Sequence, residues 1–267
     1  MKITNLQTQQ INYKANLNSS KLRFTPHDFF IKIDGYGKDN TWAKKIISTA
    51  DTAVRMIHKN CDIENVLHLI TFGVIDANNS HNSDFAKKLK TGILRTARLS
   101  WICLPDKEII TPYNTGRYSI YKIELNKKLK KPLQTPNEKL GISRPSEQNT
   151  IIHGDPQKIN FALDYIFKLY TDNIKPYTNG CLKNKDLEKI NNTIAEIRWV
   201  LAHATPWMRG SDAISNVLMK ALYKSVGVKS YPPKKNISFD LQAYCTELED
   251  YKKNFPKYFT KPPVVVE

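Results

Sequence analysis

Apolar residues recur at helical spacing through the first third of the chain. Three segments, which begin near Thr41, after Asp62 and at Ser83, each place such residues three or four positions apart. This period is typical of amphipathic helices. The apolar faces are Trp42, Ile46, Ala50, Ala53, Val54 and Ile57, then Val66, Leu67, Ile70 and Val74, then Phe85, Leu89, Ile93, Leu94 and Ala97. We therefore predict three helices in this part of the protein.

The pattern changes between residues 105 and 149. Residues 118–125 are β-branched and aromatic, which favours a strand. A strand needs a partner, which we place at residues 109–111 or after Lys131. Residues 126–149 are rich in lysine, proline and polar side chains and predict an exposed loop. Helices return after Pro156 and near Ser238, so the predicted fold class is mainly α with a small β-hairpin or sheet.

The pattern of residues 199–218 predicts the end of one helix, a tight loop and the start of another helix. The apolar period stops at Pro206 and Gly210 and then resumes. Ser211 or Gly210 is the expected N-cap, and the first backbone N–H groups of the second helix attract anions. Arg209 adds a forked, permanently charged donor. The pattern predicts a phosphate site; the alternative is a capped helical hairpin with a surface arginine.

The chain of 267 residues carries a formal net charge of +16. Such a charge admits nucleic acid, an acidic protein or an anionic membrane face as partner. Most of it comes from lysine runs at 127–131, 234–235 and 252–253, which also suit a solvated face, and we do not expect nucleic acid binding. The four cysteines lie far apart, as in a reducing compartment. We expect neither a membrane span nor a cleavable signal peptide.

The predicted organisation is a mobile N-terminal segment, one domain and a short tail. Residues 1–22 are polar without sustained periodicity. Residues 23–256 form the domain, with the loop 126–149 as an exposed insertion. Residues 257–267 form the tail, and the proline-rich end of the chain from Phe255 onward is expected to fray.

Four landmarks follow one another in a fixed order along the chain. They are Ile110-Thr111-Pro112 followed by Ser119, then Ile152-His153, then Ala204-Thr205-Pro206 with Arg209-Gly210-Ser211-Asp212-Ala213 and a helix that ends in Gly227, then Ile237-Ser238-Phe239-Asp240. In this order and at these separations the chain closely resembles the avirulence protein B (AvrB) family of bacterial effectors, a branch of the Fic/Doc-like (Fido) fold. The similarity spans roughly residues 35–256.

The resemblance implies a Fido-like helical domain with a central helix-loop-helix around a nucleotide-diphosphate pocket. Members of the family are similar to enzymes that transfer a sugar, notably rhamnose, from a UDP- or dTDP-linked donor to a host protein. Carried over by position, Arg209 binds the diphosphate together with the amides of Gly210 and Ser211. Thr111 and His153 line the cavity, Asp240 lies across from Arg209, and Arg117 is a candidate rim contact. The implied catalytic residues are Asp240, Arg209 and His153, and no metal is expected.

Each of these residues also has a purely structural interpretation. Asp240 would stabilise a helix N-terminus, His153 would finish a cap, and Thr111 would begin a turn. The chain also departs from the Fic signature, because His203 is not followed by the phenylalanine and GNGR that adenylyl transfer requires. An N-terminal glycine for lipid attachment is missing as well.

The leading hypothesis is a bacterial effector that is secreted without a signal peptide into the host cytoplasm. It would act as a monomeric glycosyltransferase on a host protein. Fic-like nucleotidyl transfer is the second hypothesis. The third is a noncatalytic module that clamps an acidic host peptide with its cleft and the basic loop at 127–131.

Overall fold

The structure is a computed structural model of the chain. It describes residues 20–30, 39–79, 91–96, 100–102, 144–145, 150–152, 156–178, 180, 182–235, 237–244 and 246–266. The predicted strand at 118–125, its proposed partner at 109–111 and the basic run at 127–131 lie outside these residues.

Helices dominate the described residues. In chain order they are α1 (Asn40–His58), α2 (Ile63–Asn79), α3 (Ile159–Asn173), α4 (Leu187–Ala204), α5 (Ser211–Ser225), α6 (Phe239–Tyr244) and α7 (Leu248–Asn254). Single turns of 3-10 helix lie at Ser20–Leu22, Pro26–Asp28, Pro156–Lys158, Lys175–Tyr177, Asn184–Asp186 and Phe255–Tyr258. The prediction of a mainly α protein with a small sheet is confirmed.

Two small antiparallel sheets complete the described fold. Strand β3 (Thr150–Ile152) lies between β1 (Ser100–Ile102) and β2 (Arg144–Pro145), with Trp101 opposite Ile151. The segment predicted as a loop at 126–149 therefore contains a short strand. Near the C-terminus, β4 (Val228–Lys229) pairs with β5 (Val264–Val265).

The first two helices form where the apolar period predicts them. Asp39 is the N-cap of helix α1, because its carboxylate accepts from the amides of Thr41 and Trp42 at 2.6 and 2.9 Å. Its face with Ile46, Ala50 and Ile57 is completely buried, mainly against α2 and α5.

The third predicted helix is wrong at residues 91–96. That segment is not helical and forms isolated backbone bridges to residues 207 and 209. Ile93 and Leu94, which the helical period placed inside, are 53% and 48% exposed. The backbone finds its hydrogen-bond partners in a distant loop, a non-local choice that a local period does not show. Residues 83–90 and 97 lie outside the described part of the chain.

The expectation of a frayed end from Phe255 onward is also wrong. Phe255 and Phe259 have no solvent exposure, and both rings pack on Phe239 with centroids 5.4 and 5.1 Å away. Strand β5 then pairs with β4. Aromatic burial therefore holds the C-terminal residues to the domain despite their prolines.

Helices α4 and α5 lie at the centre of the described fold. Their packed residues include Trp199, Leu201, Leu218 and Tyr223, all of which are almost fully buried. Helix α4 contacts α3, α5, α6 and α7, while α5 contacts α1, α2 and α4. The loop that joins α4 to α5 is therefore held by two of the most enclosed helices of the described fold.

One lysine of this core ties the N-terminal 3-10 turns to the domain. Lys220 on α5 is fully buried and donates to the Asp28 carboxylate at 3.3 Å and to the carbonyl of Tyr231 at 2.7 Å. Its Nζ also lies 5.6 Å from the centroid of the Phe259 ring. Burial lowers the pKa of Lys220 to about 8, although the Asp28 carboxylate opposes this shift.

This pKa predicts a rise of stability with pH. Between pH 8 and 10.5 the unfolded chain keeps a proton on Lys220 that the folded chain has released, so the free energy of unfolding increases as the pH rises. From pH 7.5 to 9.5 the expected gain is about 2 kcal/mol. Urea unfolding across this range measures it. The double variant Lys220→Met with Asp28→Asn should lose the dependence, and an equal slope in that variant would contradict the assignment to Lys220.

Candidate functional site

A cavity lies at the junction of α4 and α5, with a volume of about 130 Å³. Its walls come from the last two turns of α4, the connecting loop, the first turns of α5 and the start of α6. The lining residues are Arg198, Leu201, Ala202, Thr205, Trp207, Met208, Arg209, Gly210, Ser211, Asp212, Ser215 and Asp240.

Two residues with positive φ bend the loop around this cavity. Thr205 ends α4 with φ 41°, in the left-handed conformation common at helix ends, and its hydroxyl donates to the carbonyl of Ala202 at 2.7 Å. Gly210 precedes α5 with φ 87°. Only four residues, 206–209, separate them, so Arg209 is held directly before the mouth of α5.

The non-helical segment at residues 91–96 braces the loop. Gly92 N–H donates to the carbonyl of Arg209 at 3.1 Å, Met208 N–H donates to Ile93, and Arg95 N–H donates to Pro206 at 2.8 Å. Three backbone hydrogen bonds therefore fix the path that carries the Arg209 side chain, which itself is exposed.

Arg95 closes the C-terminal end of α4. Its guanidinium is buried and donates to the carbonyls of Ala204 and Thr205 at 2.8 and 3.0 Å. The last carbonyls of a helix lack intrahelical partners, and a cation there also complements the helix dipole. Arg95 thus stabilises the corner from which the loop departs.

The N-terminus of α5 opens toward the cavity without a side-chain cap. Gly210 is the N-cap and provides no side-chain acceptor. The Ser211 hydroxyl instead donates back to the carbonyl of Trp207 at 3.1 Å. The first-turn amides of α5 consequently remain donors for an anion at the cavity wall.

Replacing Gly210 with alanine should lower the free energy of unfolding and loosen the loop. The left-handed conformation costs a residue with a Cβ about 1–2 kcal/mol, and the added Cβ would lie 2.9 Å from the Thr91 methyl group. Thermal and urea unfolding measure the change. In a Thr91→Ser background the methyl contact is gone, so the loss should be smaller there. An equal loss in both backgrounds would show that Thr91 does not restrict this position.

A buried ion pair lies on the cavity wall. Arg198 Nη2 donates to Asp212 Oδ1 at 2.7 Å, and the side chains of Arg198 and Asp212 are 1% and 20% exposed. Burial alone would lower the pKa of Arg198, but the charges of the Asp212 and Asp240 carboxylates raise it above its ordinary value. The guanidinium therefore stays charged in the interior.

The second oxygen of Asp212 is also engaged. Asn216, one turn later on α5, donates its side-chain amide to Asp212 Oδ2 at 2.9 Å. The carboxylate is therefore fixed from two sides, and it holds one edge of the Arg198 guanidinium. The Nε and Nη1 atoms of Arg198 are buried and have no hydrogen-bond acceptor among the described residues.

Asp240 enters the cavity from the first turn of α6. One of its carboxylate oxygens accepts a hydrogen bond from the Ser238 hydroxyl. The neighbouring Phe239 ring lies 5.6 Å below the Arg198 guanidinium carbon. The cavity thus combines two guanidinium groups, Arg198 and Arg209, with two carboxylates, Asp212 and Asp240.

The structure brings four of the predicted site residues to this one cavity. Arg209, Gly210 and Ser211 line it from the loop and α5, and Asp240 lines it from a segment almost thirty residues later. Thr111, Arg117 and His153 lie outside the described residues. Their predicted roles as ligand contacts remain predictions.

Three charged residues around the cavity have roles that were not predicted from the sequence. They are Arg95, Arg198 and Asp212. A signal for Arg198 exists, because it lies four residues after Ile194 and three before Leu201, on a helix face that is otherwise apolar. A charged residue on such a face needs a partner in the interior. Arg95 gave no comparable signal, since its partners lie more than a hundred positions away.

The aromatic residues near the loop serve mainly as packing. Trp199 is fully buried, its indole N–H donates to the carbonyl of Thr246 at 2.9 Å, and its ring lies 4.0 Å from that of His203. His203 is buried and faces the carbonyl of Ala243 at 3.2 Å. Trp207 lines the cavity but is only 4% exposed. Both tryptophans therefore belong to the core.

The described helices include none with the length and apolar character needed to cross a bilayer. Within the same residues, His, Cys, Asp and Glu form no group of three that would hold a metal ion.

Comparison with known protein families gives one match over this region. The model of the AvrB_AvrC family, described as avirulence protein, matches residues 112–262, which is more than half of the chain. The matched region contains α3 to α7 and therefore every residue that lines the cavity. The bracing segment at residues 91–96 precedes it. No curated protein matches the chain at a significant level.

Proposed function

The chain belongs to the AvrB_AvrC family of avirulence proteins, which marks it as a bacterial effector, and we propose that it transfers a sugar from a nucleotide diphosphate onto a host protein. The donor would be a UDP- or dTDP-linked sugar of the rhamnose type. The site of action would be the host cytoplasm, and the enzyme would act as a monomer without a metal.

One observation carries the proposal. Arg209, the N-terminal amides of α5 and the Asp240 carboxylate meet at one cavity although Asp240 comes from a separate helix. Glycosyl transfer from a nucleotide needs a cationic grip on the leaving diphosphate and a carboxylate near the acceptor. The cavity offers both within reach of one bound molecule.

The chemistry assigns a distinct task to each group. The bond between the anomeric carbon and the diphosphate oxygen breaks, and the diphosphate leaves with the electron pair. Arg209 and the α5 amides stabilise the charge that develops on it. The acceptor hydroxyl or amide forms the new bond to the anomeric carbon and releases its proton to Asp240. Arg198 and Asp212 neutralise each other beside this site, so the mouth of α5 keeps its positive potential.

The volume limits how much of the donor the cavity encloses. A cavity of roughly 150 Å³ accommodates one benzene ring, and the cavity at α4 and α5 measures about 130 Å³. It therefore encloses one ring at most. The diphosphate would lie at the cavity mouth, against the exposed Arg209 and the α5 amides, and the remainder of the donor beyond the described lining. Thr111, His153 and Arg117 are the candidates for contacts there.

The test is a transfer assay. The purified chain is incubated with UDP-rhamnose or dTDP-rhamnose and an extract of candidate host cells, and intact-protein mass spectrometry seeks the mass of one deoxyhexose on a protein. The increment should appear with the wild type and disappear with Arg209→Ala. Lys235→Ala, which removes an exposed lysine outside the cavity lining, should transfer normally. Absence of any increment across donors and extracts would refute sugar transfer.

The two other hypotheses predict different results in the same assay. Nucleotidyl transfer would label protein from a nucleoside triphosphate instead. It finds less support, because His203, the histidine nearest to the Fic pattern, is buried in the core and does not line the cavity. A noncatalytic peptide clamp would bind its host partner equally well after Arg209→Ala.

A further inference from the structure

A buried guanidinium on the cavity wall has donors that the described protein groups do not use. Arg198 is 1% exposed and donates through Nη2 to Asp212, while Nε and Nη1 have no acceptor among the described residues. A buried donor without an acceptor costs about 1–3 kcal/mol, and a charged donor costs more. Because Arg198 lines the cavity, the missing acceptor is expected from a bound molecule.

The charge around Arg198 selects the kind of acceptor. Asp212 already pairs with it at 2.7 Å, and Asp240 lies close enough to act on the same guanidinium. A phosphate at this end of the cavity would face two carboxylates and be repelled. A hydroxyl group would not be repelled, since its oxygen accepts from the guanidinium and its proton is donated to a carboxylate.

The dimensions favour a ring. The cavity of about 130 Å³ approaches the size that accommodates one six-membered ring, and Leu201, Ala202 and Trp207 supply apolar walls beside the charged groups. A hydroxylated ring has both an apolar face and polar edges, and it would use both kinds of wall.

We infer that Arg198 is a substrate-binding residue that donates to a hydroxyl of a neutral sugar ring, while Arg209 and the α5 amides hold the diphosphate. This inference rests on the proposed function and assigns the ring of the same ligand to the Arg198 end of the cavity. Asp212 is a positioning residue because it accepts from the Arg198 guanidinium at 2.7 Å, and Asn216 is one because it donates to the other oxygen of Asp212 at 2.9 Å. The ring is either the ribose of the nucleotide or the donor sugar.

The test follows the side-chain Nε–H signals of arginine by NMR in the wild-type chain, with Arg198 and Arg209 assigned by triple-resonance experiments. The probes are inorganic pyrophosphate, UDP and UDP-rhamnose. Pyrophosphate should shift the Arg209 signal and leave Arg198 in place. If UDP also shifts Arg198, the ring is ribose; if only UDP-rhamnose does so, the ring is the donor sugar. Either result supports the inference.

Three outcomes overturn it, and they are distinguishable. If pyrophosphate, which has no ring, already shifts the Arg198 signal, this residue binds the diphosphate. If UDP and UDP-rhamnose shift Arg209 but not Arg198, the ring assignment fails while the diphosphate grip stands. If none of the probes shifts either arginine, the ring assignment and the proposed function fail together.

A variant gives an independent readout. Arg198→Lys keeps a cation for Asp212 but removes the two unused guanidinium donors. Its affinity for pyrophosphate should equal that of the wild type, and its affinity for the nucleotide that shifts Arg198 should fall about tenfold or more, as expected for a lost bond to a charged donor. Equal losses for both ligands would indicate a structural role only. Circular dichroism establishes whether the variant folds, and the wild-type NMR experiment decides the question if it does not.

Discussion

Asp240→Asn should lower the rate of sugar transfer by about 10²–10⁴-fold, the usual contribution of a positioned general base. Asparagine has nearly the same shape as aspartate and still accepts from the Ser238 hydroxyl, so the geometry at the start of α6 is retained. It cannot take a proton from the acceptor. Affinity for UDP should stay at the wild-type value, because the diphosphate contacts come from Arg209 and α5.

Single-turnover rates and calorimetric affinities, measured side by side, separate the two roles of Asp240. Ser238→Ala is the matched control, since it removes only the hydroxyl that donates to Asp240 and should have a smaller effect on the rate. An unchanged rate in Asp240→Asn would exclude Asp240 as the base. If Asp240→Asn loses UDP affinity while its single-turnover rate stays at the wild-type value, Asp240 is a binding residue instead.

Asp212→Ala should reduce the free energy of unfolding by about 3–5 kcal/mol, the cost of leaving one member of a buried ion pair without its partner. Arg198 is 1% exposed and keeps its charge, and the nearby Asp240 would compensate only in part. We therefore expect a value near the lower end of that range. Urea unfolding with circular dichroism measures it.

Two comparisons isolate the effect of the ion pair. Asp250→Ala removes an exposed carboxylate from the first turn of α7, where only the helix dipole is affected, and should cost about 0.3–1 kcal/mol. The double variant Arg198→Met with Asp212→Ala should recover most of the lost stability, because no unpaired charge remains inside. If the double variant is as unstable as Asp212→Ala alone, the cost arises from Asp212 and not from the stranded arginine.

The sequence predicted those parts of the fold that depend on neighbouring residues. The α4–α5 hairpin follows from an apolar period broken by Pro206 and Gly210, and the structure ends and restarts the helices there. The same rule failed at Ile93 and Leu94, because their backbone pairs with a loop more than a hundred residues away. Periodicity reports which face of a helix is apolar, and it carries no information about such distant pairing.

The prediction of a frayed C-terminus failed for a related reason. Prolines and charges between residues 256 and 263 indicate a frayed end when they are read locally. The structure instead buries Phe255 and Phe259 against Phe239, which belongs to α6. Aromatic contacts between segments decide the outcome, and only the folded chain shows which rings meet.

The candidate site was predictable as far as its residues carry a local pattern. Arg209, Gly210 and Ser211 follow from the chemistry of a helix N-terminus, and the position of Asp240 came from the family resemblance. The Arg198–Asp212 pair was not predicted, although an arginine on an apolar helix face was visible in the sequence. Its partner and its unused donors became apparent only from the contacts across the α4–α5 junction.

The most direct measurement of the central claim is a calorimetric titration of the wild type and Arg209→Ala with UDP and dTDP. The wild type should bind at least one of them, and Arg209→Ala should bind it about 10–100-fold more weakly, the value of one lost hydrogen bond to a charged group. If the wild type binds neither nucleotide, or if Arg209→Ala binds as tightly as the wild type, the cavity between α4 and α5 is not a diphosphate site.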